Sequence, residues 1–244
     1  MRYAVLGDLH ANLTALEAVL SALDGQEVDA LLSVGDVVGY GAAPQEVIQL
    51  LRESGATVVK GNHDAAVTGE LDASWFNPFA RAVVDWTSAQ LTREEMAWLE
   101  NLPLTAHLEH CAVAHGTPTR PERFDYVQCT EDADPSLDAL EGRVCFIGHT
   151  HVPVTILRLA DTPDRTSYTT DDSVDLSDAS VALINVGSVG QPRDEDPRAA
   201  FGLYDSERGR YELHRVEYDI QREDARIRAA GLPDKLADRL HMGV

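Results

Sequence analysis

Tyr3-Ala4-Val5-Leu6-Gly7-Asp8-Leu9-His10 sets a short apolar run directly against a glycine, a carboxylate and an imidazole. The run reads as a strand. Leu13, Leu16, Val19, Leu20 and Leu23 follow at helical spacing behind Asn12, a side chain suited to N-capping. The same unit recurs: residues 30–34 are apolar and end at Gly35-Asp36, and Pro44 opens an amphipathic stretch through Val47, Ile48, Leu50 and Leu51. Residues 57–59 then lead through Lys60-Gly61-Asn62-His63-Asp64 into a further helix. Strand and helix alternating at this pace predict parallel strands joined by helical crossovers, an α/β fold.

Working outward, residues 76–101 have helical periodicity with Trp86, Leu91, Trp98 and Leu99 on the apolar side, and Thr92 with Glu95 forms a capping-box pattern. Beyond them come short strand-like runs at 104–108, 111–114, 144–147, 154–159, 181–184, 201–204 and 211–216, separated by turn residues. This predicts a parallel-rich first half, a more antiparallel second half, and two sheets face to face with helices outside. Residues 160–178, acidic and rich in Thr, Ser and Asp, read as an exposed loop, and a last helix over 220–230 stops at Gly231. No repeat or linker interrupts the chain, so one domain over residues 1–244 is expected.

The composition narrows the function. The chain has 244 residues with 41 acidic and 20 basic side chains, a formal charge of −21. Such a surface repels nucleic acid polymers and anionic membranes, because both bind through Lys and Arg on phosphates. A hydrophobic fraction of 44% and a charged fraction of 25% exclude a disordered chain. Cys111, Cys129 and Cys145 lack the paired spacing of zinc or redox motifs and are expected to be buried apolar residues. The first apolar run is too short for a signal peptide and no later one approaches a membrane span, which makes the cytoplasm the expected compartment. Nothing in the sequence specifies an oligomeric state.

The chemistry gathers where strands end. Asp8-x-His10, Gly35-Asp36, Gly61-Asn62-His63-Asp64, His115-Gly116 and Gly148-His149-Thr150-His151 all follow apolar runs, at the edge where open α/β sheets bind ligands. Each motif alone is a common turn or surface pair. Together they supply more oxygen and nitrogen donors than one ion needs, of types that suit manganese, iron or zinc, and a two-metal site follows. Glycine beside each donor fits close backbone approach. His107, His110, His214 and His241 lack partners at ligand spacing and are expected to be structural or exposed. Gly35 to Gly41 misses the dinucleotide-binding spacing.

In order and completeness these motifs resemble the calcineurin-like metallophosphoesterase superfamily, and Asn185-Val186-Gly187-Ser188-Val189-Gly190-Gln191-Pro192-Arg193 looks like its bacterial small-phosphoesterase branch. The resemblance implies a four-layer αββα sandwich of two mixed sheets flanked by helices. It assigns Asp8, His10 and His151 to one divalent metal, Asn62, His115 and His149 to a second, and Asp36 to both. Manganese is the expected ion, with iron, zinc, nickel and cobalt as other candidates. The implied reaction is hydrolysis of a small, nucleotide-like phosphate ester by in-line attack of a metal-bridging hydroxide, with two positive ions offsetting the acidic protein. His63 would protonate the leaving oxygen. Asp64 would orient that imidazole or cap the next helix.

Asn12 resembles the family's phosphate-contacting Asn, with Ala11 in place of a glycine. Arg193 would reach substrate, or pair with Asp194 or Asp196, as its Pro-rich loop favours. Asp36-Val37-Val38-Gly39-Tyr40-Gly41 lacks the second Asp and the Arg of the protein Ser/Thr phosphatases and symmetric dinucleoside tetraphosphatases, which predicts a more open, uncharged rim. Two alternatives stand beside the phosphodiesterase or phosphatase reading: an asymmetric dinucleoside polyphosphate hydrolase, and an idle scaffold like the retromer subunit with this fold. Retention of every donor weighs against the scaffold. Specificity is expected from the loops at 118–134 and 160–178.

Overall fold

The computed structural model describes residues 1–244, the side chain of Trp75 excepted. Strands β1 (Arg2–Leu6), β2 (Ala30–Ser33) and β3 (Thr57–Val58) are parallel and joined by α1 (Leu13–Leu23) and α2 (Pro44–Ser54). The predicted crossover units are all present. Residue alternation along β1 then builds two cores at once, because successive side chains point to opposite faces of a strand. Ala4 and Leu6 face the helices with Leu16, Val19, Ile48 and Leu51, whereas Tyr3 and Val5 meet Val113, Phe146 and Ile184 of the other sheet. Each buried Val, Leu, Ile or Phe among them contributes about 1.5–3 kcal/mol.

The second sheet contains β4 (Thr105–His107), β5 (Ala112–Ala114), β6 (Val144–Ile147), β7 (Val154–Leu159), β8 (Thr162–Thr169) and β10 (Ala179–Asn185), in the order β4-β5-β6-β10-β7-β8. Its outer face packs Ala112, Ala114, Cys145, Ile147 and Leu183 on Ala133 and Leu137 of α6 (Thr130–Ala139). Helices, sheet, sheet and helix make the four layers.

The division into parallel and antiparallel halves is overturned. β9 (Ser173–Asp175), β11 (Ala199–Asp205) and β12 (Arg210–Val216) return to the first sheet, ordered β3-β2-β1-β11-β12-β9, so both sheets are mixed. Residues 160–178 form β8 and β9 rather than a loop. β8 is an edge strand exposed along most of its length, and a strand that buries so little carries no apolar alternation to read. The periodicity over 76–101 breaks at Leu91 into α4 (Pro78–Gln90) and α5 (Arg93–Glu100), with the Thr92–Glu95 capping box at the junction. The helix after Gly61 is α3 (Asn62–Val67), and after α7 (Ile220–Ala229) the chain adds α8 (Asp234–Leu240). Leu236, Ala237 and Leu240 of α8 pack with Ile227, Tyr40 and Val83. Cys111 and Cys145 are buried as expected, but Cys129 is exposed.

Candidate metal centre

Asp8, Asp36, Asn62, His115 and His149 follow the C-terminal ends of β1, β2, β3, β5 and β6, so both sheets deliver donors to one edge. Main-chain bonds lock the loops together: His10 N–H donates to Asp36 O at 2.9 Å and Ala11 N–H to Val37 O at 2.9 Å. The 185–193 segment ties in from β10. Ser188 Oγ donates to Asp8 O at 2.8 Å, and Asn185 Nδ2 donates to Gly148 O at 2.6 Å. The donors hang from tightly turned backbone, with positive φ at Asp8 (44°), His10 (46°), Asp36 (50°), His149 (70°) and His151 (63°). A side chain at Gly61 would run into the Asp36 carboxylate, and one at Gly148 into that of Asp8.

Two clusters result. Asp8, His10, Asp36 and His151 bring one donor atom each within 4.8 Å of one another, as do Asp36, His115 and His149. Asp36 belongs to both. His115 Nε2 also lies 2.9 Å from Asn62 Oδ1, which adds Asn62 to the second group. The predicted donors thus converge as two sets sharing one carboxylate.

The hydrogen bonds behind the rings test whether ions fit. Nδ1 of His10, His115 and His151 faces the main-chain carbonyls of Val38 (3.1 Å), Val34 (2.9 Å) and Gln191 (2.6 Å). A carbonyl only accepts, so each Nδ1 carries the proton and each Nε2 points inward, the arrangement that orients metal-binding imidazoles. His10 Nε2 and His151 Nε2 then face each other at 3.1 Å. Burial holds the pKa of both well below the ordinary value, so no proton relieves the opposed lone pairs. A cation between them does, and a divalent ion fits the donor set.

The electrostatics agree. Burial pushes the Asp8 carboxyl up to about 7 by disfavouring its charged form, and the neighbouring Asp36 carboxylate adds to the rise, against the lowering effect of His115. Burial pushes Asp36 the same way, but His115 and His63 outweigh it and hold Asp36 well below the usual range. Burial opposes charge on His115 too, yet the carboxylates of Asp36 and Asp8 raise it to about 9.

His63 is the second residue of α3, at the rim of a cleft of about 380 Å³ that it lines with Asn62, His149, Phe76 and Tyr126. Its backbone N–H donates to Asp36 Oδ1 at 2.8 Å, and burial lowers its pKa to about 4. Its Nδ1 has no hydrogen-bond partner among the described residues. Asp64 does not touch that ring: its carboxylate accepts from Gly61 N–H (2.9 Å) and Val38 N–H (3.2 Å), capping α3 and pinning the second motif. Asn12 is likewise committed to the fold. Its Oδ1 caps α1 at Ala15 N–H, and its Nδ2 donates to Gly190 O and Tyr218 Oη. Arg193 departs from the expected ion pair, because Asp194 bonds Arg215 and Asp196 bonds Arg198. Its guanidinium instead donates to Gln191 Oε1 at 3.2 Å and Tyr40 Oη at 3.4 Å.

The rim expected to be open is filled. Tyr40 is buried, its ring centroid 4.5 Å from those of both His10 and His63. Tyr126, which sequence reasoning also missed, stacks on His149 at 3.8 Å with rings 19° apart. No local signal marks either residue, because their neighbours there come from distant motifs.

The comparisons concur with this geometry. Residues 1–209 match the model of the calcineurin-like phosphoesterase superfamily domain. An uncharacterised protein, MJ0912 of Methanocaldococcus jannaschii, is 32% identical over 98% of this chain and 97% of its own length. The crystal structure of a metallophosphoesterase from Sphaerobacter thermophilus superimposes over 100% of both chains with a TM-score of 0.87 and 40% identity. The hypothetical protein PH1004 from Pyrococcus horikoshii, at 21% identity, shares the fold over 100% of this chain and 98% of its own, with a TM-score of 0.82. Motifs, donor geometry and these matches together make the chain a member of the calcineurin-like phosphoesterase superfamily.

Proposed function

We propose that the protein is a dinuclear, manganese-supported hydrolase of small phosphate esters, nucleotide-like diesters or monoesters among them. The observation that carries this reading is the pair of inward-facing imidazole clusters sharing Asp36, set beside His63 at the wall of the cleft. Asp8, His10, Asp36 and His151 would hold one ion, and Asp36, Asn62, His115 and His149 the other. Two divalent ions would polarise the ester and generate the nucleophile from water.

The remaining steps belong to the chain. Arg193, with no carboxylate within ion-pair distance among the described residues, is free to offset phosphate charge. His63 is held between Tyr40 and Phe76, 4.5 and 5.0 Å away between ring centroids, and so keeps one orientation toward the cleft. A neutral imidazole suits the empty cleft, and an arriving phosphate anion favours its protonated form, which then delivers a proton to the leaving oxygen. Asp64 serves this step indirectly, by fixing the start of α3 on which His63 rides.

Manganese-loaded protein should hydrolyse bis(4-nitrophenyl) phosphate or 4-nitrophenyl phosphate, with two metals per chain by elemental analysis and loss of turnover on chelation. The reading is lost if folded protein carrying two metals turns over neither ester.

A further inference from the structure

We infer that the organic half of the substrate is a planar aromatic group, and that it lies in the groove lined by Tyr126 and Tyr168. This rests on the phosphoesterase reading and specifies which ester is used. The groove has a volume of about 830 Å³, within the range of small-molecule sites, and is walled by Val152 and Ile156, with Arg193 also contributing. Tyr126 also lines the cleft that holds Asn62, His63 and His149, so one ring is the common wall of groove and catalytic edge.

Charge and exposure identify the occupant. The described residues lining the groove include no carboxylate, in a chain with 41 of them. A second depression, of about 320 Å³ near Met1, is rimmed instead by Glu27, Asp29, Asp205 and Glu207. The groove therefore sets no lining carboxylate against an anionic ester, as the depression near Met1 would. Tyr126 is 49% exposed, Val152 38% and Tyr168 68%, a concentration of apolar surface that folding alone does not favour. Tyrosine faces suit stacking on a flat π-system, and stacked bases or aryl rings are bound this way with little sequence or substituent preference. Arg193, with its Nε buried and unpartnered among the described residues, offers a cation to the attached phosphate.

Residues 118–134 and 160–178 are far apart in sequence, yet they supply Tyr126 and Cys129 on one side and Tyr168 on the other. Cys129 gives a readout independent of turnover. It is the exposed thiol in the groove, while Cys111 and Cys145 are buried.

The test uses metal-loaded protein and non-hydrolysable methylenephosphonate analogues of adenosine 5′-monophosphate, ribose 5-phosphate and phenyl phosphate, with inorganic phosphate as reference. Dissociation constants and the rate of Cys129 alkylation are measured together. The adenosine analogue should bind at least tenfold more tightly than the ribose analogue and slow alkylation, which the ribose analogue and phosphate should not. Tyr168→Ala should erase the tenfold preference without altering phosphate binding, and Tyr168→Phe should keep it. Equal protection by the phenyl analogue supports a general aryl subsite, and protection by the adenosine analogue alone supports a nucleoside one. Equal affinity of the adenosine and ribose analogues, with Cys129 unprotected, overturns the groove while leaving the phosphoesterase reading intact. If none of the four ligands binds to protein carrying two metals, the phosphoesterase reading falls and this inference with it.

Discussion

The two halves of the candidate metal centre are built differently. Around Asp8, His10 and His151 both rings are anchored by main-chain carbonyls, and all three residues are 0–1% exposed. Around Asn62, His115 and His149 only His115 is anchored in this way, while His149 has an unpartnered Nε2 among the described residues and lies under Tyr126 at the wall of the cleft. The first seat is set by the loops, so it is preorganised for an ion before one arrives. The second borders the space a substrate would enter, and its His149 ring is held by the Tyr126 stack and a 3.1 Å contact from Nδ1 to His115 Nε2 rather than by a main-chain carbonyl. Equal donor counts therefore do not mean equal ion affinity.

The comparison can be broken most severely at its shared member. Asp36→Ala should empty both seats and reduce turnover to that of chelated protein, well beyond the roughly 10–100-fold typical of losing an outer hydrogen-bond partner. Retention of one tightly held ion in that variant would show that the clusters are independent. His63→Ala should lower kcat by about 10²–10⁴-fold with both metals kept, the range for loss of a positioned proton donor. Metal loss equal to that of Asp36→Ala would instead make His63 a ligand.

Graded chelation sharpens the contrast directly. Metal content should fall from two ions to one to none, the second seat emptying first, and Tyr126→Ala should advance the first step without moving the later one. Simultaneous release of both ions would remove the distinction.

The smallest effect lies away from both clusters and serves as a control. Glu223 is buried with one oxygen on Thr14 Oγ1 at 2.7 Å, and burial raises its pKa despite the Thr14 and Arg226 contacts. Folded protein thus holds a proton that the unfolded chain has already released. The stabilisation is complete below the unfolded pKa of about 4.3 and is lost as pH rises through the folded value. Glu223→Gln, which keeps the neutral form, should gain Tm relative to the parent as pH rises from 4 upward, by about 2–4 °C per kcal/mol. Metal-saturated samples in which this difference is flat with pH would assign the pH response of stability to the clusters instead.

How much of this was readable in advance follows from where the forces act. The crossover units and the donor motifs were legible because a buried parallel strand and the loop after it are local patterns, and Asp8 through His151 each sit on one. The return of β11 beside β1 was not, since pairing partners are chosen by tertiary packing. β8 carried no signal because an edge strand exposed on most of its length has no apolar face to alternate. Helix α6 was hidden by its acids and by Pro135, and is held by Ala133 and Leu137 against the second sheet. The capping role of Asp64 is local, three residues from the Gly61 amide it accepts from, and so was readable, but the amide commitments of Asn12 and the pairing of Asp194 with Arg215 arise only when distant segments meet.

The left-handed backbone at Asp8, His10, Asp36, His149 and His151 has an evolutionary consequence. Such a conformation costs an L-residue with a side chain about 1–3 kcal/mol, and glycine almost nothing. At each of these positions selection for a sturdy fold and selection for chemistry therefore favour different amino acids. A lineage released from catalysis would no longer be held to Asp and His in this strained backbone, so a descendant that had abandoned its reaction would be recognisable by the replacements at these five positions.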